Sequence, residues 1–251
     1  MAMKIVILSI LFFIVPILSY KPVVLIHGVM TGSASMELIK LRIEEQHPGT
    51  IVYNVNRFES WSSLETMWHQ VLEIGMDIAN ISSRHPDGIN LIGYSQGGLI
   101  ARGIVETFPN VSVSTFISLS SPQAGQYGAG FLHLVFPGLV KDTVYELFYS
   151  RVGQHTSVGN YWNDPYHQSL YESYSVYLPY INNHLPQFGY YNANETIIEM
   201  KAQDIYVEDK IGLRTLDETG RLHVVTVPGV NHFNWHMNMS IVDDYLLPFL
   251  D

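Results

Sequence analysis

Apolar residues in this chain fall into short unbroken blocks, separated by stretches where they recur every three or four positions. Pro22-Val23-Val24-Leu25-Ile26 is the first block, and Thr50–Val55 the second. Ile89-Asn90-Leu91-Ile92, then Val113 with Phe116-Ile117-Ser118-Leu119, and finally Leu222–Val227 continue the series. Blocks this short and this apolar read as strands buried on both faces of a parallel sheet. The stretches between them read as helices. Residues 33–46 form one, closed by the turn His47-Pro48-Gly49. A longer one starts near Ser62 or Ser63 and runs to about Ser83, with Leu64, Met67, Trp68, Val71, Leu72 and Ile78 on its apolar side. Gly98–Val105, a stretch around Glu195–Lys201, and Ile241–Leu250 complete the set. Strand and helix alternate, which predicts an α/β fold with a mainly parallel central sheet.

Two stretches fall outside this rhythm. From about residue 121 to 186, glycines punctuate the chain and aromatic residues crowd Tyr145–Tyr180, with no strand pattern. An insertion over the carboxyl ends of the strands would act as a cap or roof over a ligand site there. A packed surface excursion with its own small core is the alternative. At the other end, Lys4 precedes apolar runs that stop near Ser19-Tyr20, the layout of a signal peptide over residues 1–19. The alternative, an uncleaved anchor, is disfavoured because the run is short and Pro16 interrupts it. Residues 20–251 then suit one α/β domain.

Charge narrows the partners. The chain carries 13 Lys+Arg against 23 Asp+Glu, a formal charge of −10. This argues against nucleic acid or an anionic membrane as the main partner, and no integral span is expected after residue 19. The 11 histidines would bring the charge near zero if all were protonated, which suits an acidic compartment. With no cysteine, disulfides and thiolate metal sites are excluded. No P-loop, EF-hand or zinc pattern is present, so neither a cofactor nor a metal is expected. Sequons start at Asn80, Asn110, Asn194 and Asn238, and glycan is expected where they reach the surface.

The chemistry centres on Gly93-Tyr94-Ser95-Gln96-Gly97. This G-x-S-x-G sequence lies between a strand pattern and a helix pattern, as the nucleophile elbow of α/β-hydrolases does. Glycines flank the serine because the sharp turn has no room for side chains. Ser95 is the candidate nucleophile. In this fold the order along the chain is serine, acid, histidine, which makes His232, after the last strand pattern, the candidate base. His236 competes with it from farther along the loop. The amides of Gln96 and Val29, the latter in the His27-Gly28-Val29 loop, are the candidate oxyanion donors. His27 reads as a brace for that loop.

Several longer runs then carry a resemblance to a family. They are Lys21–Gly28, His47-Pro48-Gly49-Thr50, Gly93–Leu99 and Phe116–Gly128, together with Asn160–Pro165, Tyr191–Thr196 and His232–His236. In these the chain resembles the palmitoyl-protein thioesterases over nearly its whole length after residue 19. The resemblance implies an α/β-hydrolase fold with an inserted cap, and a glycosylated lysosomal hydrolase of long-chain fatty acyl thioesters such as palmitoyl-CoA. Secretion is the alternative destination. It also implies Ser95 as nucleophile and His232 as base.

The chain departs from the family pattern twice. The family has disulfides. It also has, between the positions of Pro186 and Gln187, a strand followed by a Gly-Pro-Asp-Asp-Gly type loop that carries the catalytic aspartate. Neither that strand nor that loop is present, so one late strand and the acid are expected to be missing. Asp204 and Asp209 are the remaining acid candidates. A catalytically impaired acyl-binding homologue or shortened isoform, and an oxygen-ester lipase, stand as alternatives.

Overall fold

The computed structural model describes residues 20–128, 143–182, 198–209 and 211–250, together with positions 130, 133, 136 and 138. Four strands, β1 (Val23–Ile26), β2 (Val52–Asn54), β3 (Ile89–Tyr94) and β4 (Val113–Leu119), form a sheet in the order β2-β1-β3-β4. Every pairing is parallel. Helices α1 (Glu37–Gln46), α2 (Met67–Ser83) and α3 (Gln96–Thr107) connect them.

Side chains alternate across a strand, so each block feeds two cores. Val24, Ile26, Ile89 and Leu91 pack with α2 and α3 on one face. Val23, Leu25, Ile92 and Tyr94 pack on the other with Ile39 and Ile43 of α1 and with Ile241, Val242 and Leu246 near the carboxyl end. The uninterrupted apolar blocks follow from this two-sided burial.

The described parts of the segment after β4 hold short helices and a 3₁₀ turn, and no sheet strand, in keeping with the lack of strand pattern. Phe148, Tyr161, Trp162, Tyr171 and Tyr177 enter the same core as α2 and α3. Polar contacts tie it down. Asn160 Oδ1 accepts from the Met67 amide at 2.9 Å, closing the start of α2, where helical N–H groups lack partners. The Tyr177 hydroxyl donates to the Leu99 carbonyl at 2.7 Å, and Arg102 reaches Asn182 Oδ1 at 2.7 Å. A cavity of about 530 Å³ opens between Trp68 of α2 and Tyr149, Gln154, Tyr174 and Val176 of the segment. Ser95 and His232 do not line it.

Several sequence expectations are corrected. Leu222–Val227 is not a strand: residues 221–227 have no regular structure, and Val224 and Val225 are exposed. A strand needs a ladder partner for its backbone, and no described strand pairs with the outer edge of β4. That edge also explains why β4 is only partly buried rather than enclosed. The long helix starts at Met67, after a separate 3₁₀ turn over Ser60–Leu64, and Leu72 faces solvent. The helix expected around Glu195–Lys201 lies partly outside the described residues, and what is described is a 3₁₀ turn, Met200–Ala202. The closing helix is three short pieces, ending in a 3₁₀ turn that contains Pro248. Proline cannot donate to a continuing helical ladder. Among the described residues no helix is long and apolar enough to cross a membrane.

Candidate active site

Ser95 sits at the junction of β3 and α3 with φ 54° and ψ −123°. This conformation costs a non-glycine residue about 1–3 kcal/mol and persists only where the surroundings enforce it. The Ser95 amide donates to the Leu119 carbonyl at 2.9 Å, tying the turn to β4. Gly97 brings α3 against β1 so closely that a Cβ there would lie 2.3 Å from the Ile26 carbonyl oxygen. The serine is therefore held at the carboxyl end of the sheet, 6% exposed.

His232 comes to it from a turn near the far end of the chain. Its Nε2 is 2.9 Å from Ser95 Oγ. Tyr94, the variable residue of the elbow motif, holds that turn: its hydroxyl donates to the His232 carbonyl at 2.8 Å. The other ring nitrogen, Nδ1, is 2.9 Å from Ser120 Oγ. If Ser95 donates its hydroxyl proton to Nε2, Nδ1 carries the ring proton and donates to Ser120. Burial pushes the His232 pKa below the usual histidine value.

His236 does not reach Ser95. It is buried against the Tyr94 ring, 4.2 Å between centroids, and its Nδ1 has no hydrogen-bond partner among the described residues. The two acid candidates are not brought to His232 either. Asp209 is committed elsewhere: its carboxylate accepts from the Arg214 and Thr215 amides and the Thr215 hydroxyl, which hold it below the usual carboxylate range. Asp204 begins a separate short helix, Asp204–Val207. The position beside Nδ1 belongs to Ser120, which corrects both expectations.

The candidate oxyanion donors belong to the start of α3 and to the turn after β1. Gln96 opens α3, where the first N–H groups have no acceptor inside the helix. Val29 lies in the turn after His27-Gly28, and a Cβ on Gly28 would come within 3.0 Å of Ser95 Cβ. The His27 ring is 2.9 Å from both the Gly28 and Arg57 carbonyls, consistent with its expected bracing role. Ser63, which the sequence pattern marks only as a candidate helix cap, also joins this region. Its Oγ accepts from the Met30 amide at 2.7 Å, while its carbonyl accepts from the Gln96 side chain at 2.8 Å. It thereby links the turn after β1 to the start of α3, and nothing local in the sequence marks it. Of the sequons, Asn80 and Asn110 are exposed, Asn238 is half-buried and caps Ser240, and Asn194 lies outside the described residues.

Tyr94→Phe keeps the ring packing but removes the bond to the His232 carbonyl. Misplacing the base matters more to rate than losing one hydrogen bond matters to stability. A fall in kcat of about 10-fold is expected at unchanged KM, with a stability loss of about 1 kcal/mol in urea unfolding.

A serine on a strained strand-to-helix turn, with an imidazole at its hydroxyl and a parallel sheet beneath, defines a serine hydrolase of the α/β-hydrolase class. The palmitoyl protein thioesterase family model matches residues 22–187 and 186–232, and the chain belongs to that family. A lysosomal thioesterase PPT2 homolog of Drosophila melanogaster is 45% identical, covering 93% of each chain. Lysosomal thioesterase PPT2 of Homo sapiens is 36% identical, covering 92% of this chain and 88% of its own. The fly alignment spans 268 positions, more than the 251 residues here, so that relative carries sequence this chain lacks. The two family matches meet at residues 186–187, where the sequence departs from the family pattern. Among solved structures, a lipase-esterase related protein from Clostridium acetobutylicum shares the fold. Its TM-score is 0.51 at 14% identity, covering 93% of this chain and 96% of its own.

Proposed function

We propose that the chain hydrolyses long-chain fatty acyl thioesters, palmitoyl-CoA or S-palmitoylated substrates among them, through an acyl-Ser95 intermediate. The observation that carries this is the 2.9 Å contact of Ser95 Oγ with His232 Nε2 at the elbow, in a member of a thioesterase family. His232 takes the Ser95 proton as Oγ attacks the thioester carbonyl. The oxyanion forms against the Gln96 and Val29 amides, a placement that contributes several kcal/mol when two such donors are fixed. Collapse breaks the C–S bond, and the proton on Nε2 goes to the departing sulfur. Water then attacks the acyl-serine by the same route, releasing the fatty acid. Thiols have pKa values near 8.5, so the leaving group makes a modest demand on the imidazolium.

The segment at about 121–186 supplies the acyl-binding cap, residues 1–19 act as a cleaved signal peptide, and the enzyme works in the lysosome. Asn80 and Asn110, being exposed, carry glycan. A neutral rather than acidic partner at His232 Nδ1 favours a second reading, a catalytically impaired acyl binder.

Fluorophosphonate labelling of the purified chain, with hydrolysis of palmitoyl-CoA against a matched oxygen ester, separates these readings. Labelling at Ser95 with preference for the thioester is expected. Folded protein that binds fatty acid without labelling establishes the binder, and oxygen-ester preference establishes a lipase. In the active case, kcat/KM should hold as pH falls through 6.5, because lowering the His232 pKa keeps the base neutral there. An acid limb at or above 6.5 would contradict that placement.

A further inference from the structure

Resting on the reading of Ser95 as nucleophile and His232 as base, we propose that Ser120 is the positioning residue of that base. Its hydroxyl takes the place beside Nδ1 that a carboxylate fills in Ser-His-Asp enzymes, fixing the tautomer and orientation of the ring without supplying charge. Three independent features meet at this residue. Its Oγ lies 2.9 Å from Nδ1 on the side of the ring opposite Ser95. It immediately follows the carboxyl end of β4, whose Leu119 carbonyl holds the Ser95 amide, so nucleophile and positioning residue share one rigid support. It also has φ 51°, a left-handed conformation that serine rarely adopts. Such strain is retained where a side chain must be aimed.

The chemistry follows from what a hydroxyl can and cannot do. It can accept the Nδ1 proton, which leaves the Nε2 lone pair free for Ser95. It cannot offset the positive charge that His232 gains as it takes the Ser95 proton, whereas an aspartate does. The titratable group packed against the His232 ring is Tyr94 from β3, and His236, in the 3₁₀ turn Trp235–Met237, lies near enough to interact electrostatically with it. No carboxylate among the described residues is hydrogen-bonded to His232. Burial therefore acts on this histidine unopposed, which accords with the direction of its pKa shift. The resulting base turns over slowly but keeps its neutral form to lower pH than a free imidazole does.

Two substitutions test the role. Ser120→Ala frees the ring to adopt either tautomer, and kcat should fall about 10-fold at unchanged KM, with the acid limb of kcat/KM where it was. Ser120→Asp adds the missing charge at a backbone conformation that aspartate adopts more readily than most residues. It should raise kcat about 10-fold or more and move the acid limb up by about one pH unit. Rates are expressed per fluorophosphonate-titrated site, so partial misfolding does not masquerade as a kinetic effect. A third readout needs no activity: proton NMR should show a hydrogen-bonded imidazole N–H of His232 in the wild type that is lost in Ser120→Ala. Wild-type kcat in Ser120→Ala together with an unmoved N–H resonance would overturn the proposal. So would Ser120→Asp matching Ser120→Ala in both kcat and acid limb. If the wild type neither labels nor turns over, the hydrolase reading fails on its own, while the resonance still reports on Ser120.

Discussion

Ser95→Ala is expected to lower thioester turnover by about 10²-fold and to abolish fluorophosphonate labelling. His232→Ala should fall as far in turnover, and the double variant no further, because the two residues act on one proton. The size follows from the neutral third partner. In subtilisin, removing nucleophile or base costs about 10⁶-fold, while removing the aspartate alone costs about 10⁴-fold. A site whose imidazole leans on a hydroxyl retains roughly the quotient as the contribution of its remaining pair. What survives in the double variant would come from the oxyanion donors and acyl binding. Additive losses in the two single variants would mean that the 2.9 Å contact does not operate during turnover. Persistent labelling of Ser95→Ala would place the nucleophile elsewhere.

The parts of the site legible in the sequence are those whose requirement is local or ordinal. The elbow is readable because a serine on a sharp turn needs glycines beside it, and both glycines are in place. His232 is readable because chain order in this fold puts the base late in the chain, after the last strand pattern, even though that pattern forms no strand here. Ser120 is not, since a hydroxyl beside an imidazole has no pattern of its own. Its one sign is its place at the end of a strand block, and that sign is shared by many serines. Tyr94 illustrates the same limit: an x in the motif, it bonds to the carbonyl of a residue far along the chain. The strand pattern of Leu222–Val227 shows the converse. Its local preference is sound, but a ladder is made by two segments, and no partner is provided among the described residues. The aromatic segment after β4 could be read either as roof or as surface excursion, because composition does not say which helix a tyrosine meets. What the structure adds is the contact itself: Tyr177 packs at Gly103 and bonds Leu99, both in α3.

Gly97→Ala should be strongly destabilising, although helix propensity alone predicts the reverse. Alanine in place of glycine in a helix interior is favoured by about 1 kcal/mol, and less near an end. The backbone at Gly97 has no positive φ that would itself penalise alanine. Space decides the sign. The added Cβ would lie 2.3 Å from the Ile26 carbonyl oxygen and 2.6 Å from that of His27, and these are backbone atoms of β1 and the loop that follows it. Neither can rotate away as a side-chain tip could. Ile26 is paired with Gly93 of β3, so relieving the contact by moving β1 would disturb the ladder. Moving α3 instead would shift Gln96 and Ser95 away from His232. Overpacking of this kind typically costs about 1–3 kcal/mol and more when backbone must yield. A net loss of about 3 kcal/mol is therefore expected, read as a lower urea midpoint at unchanged slope, with Ser95 labelling slowed about 100-fold in the fraction still folded. Wild-type stability with wild-type labelling would show that α3 does not press on β1 at this point, and the rigidity assigned to the elbow would have to come from elsewhere.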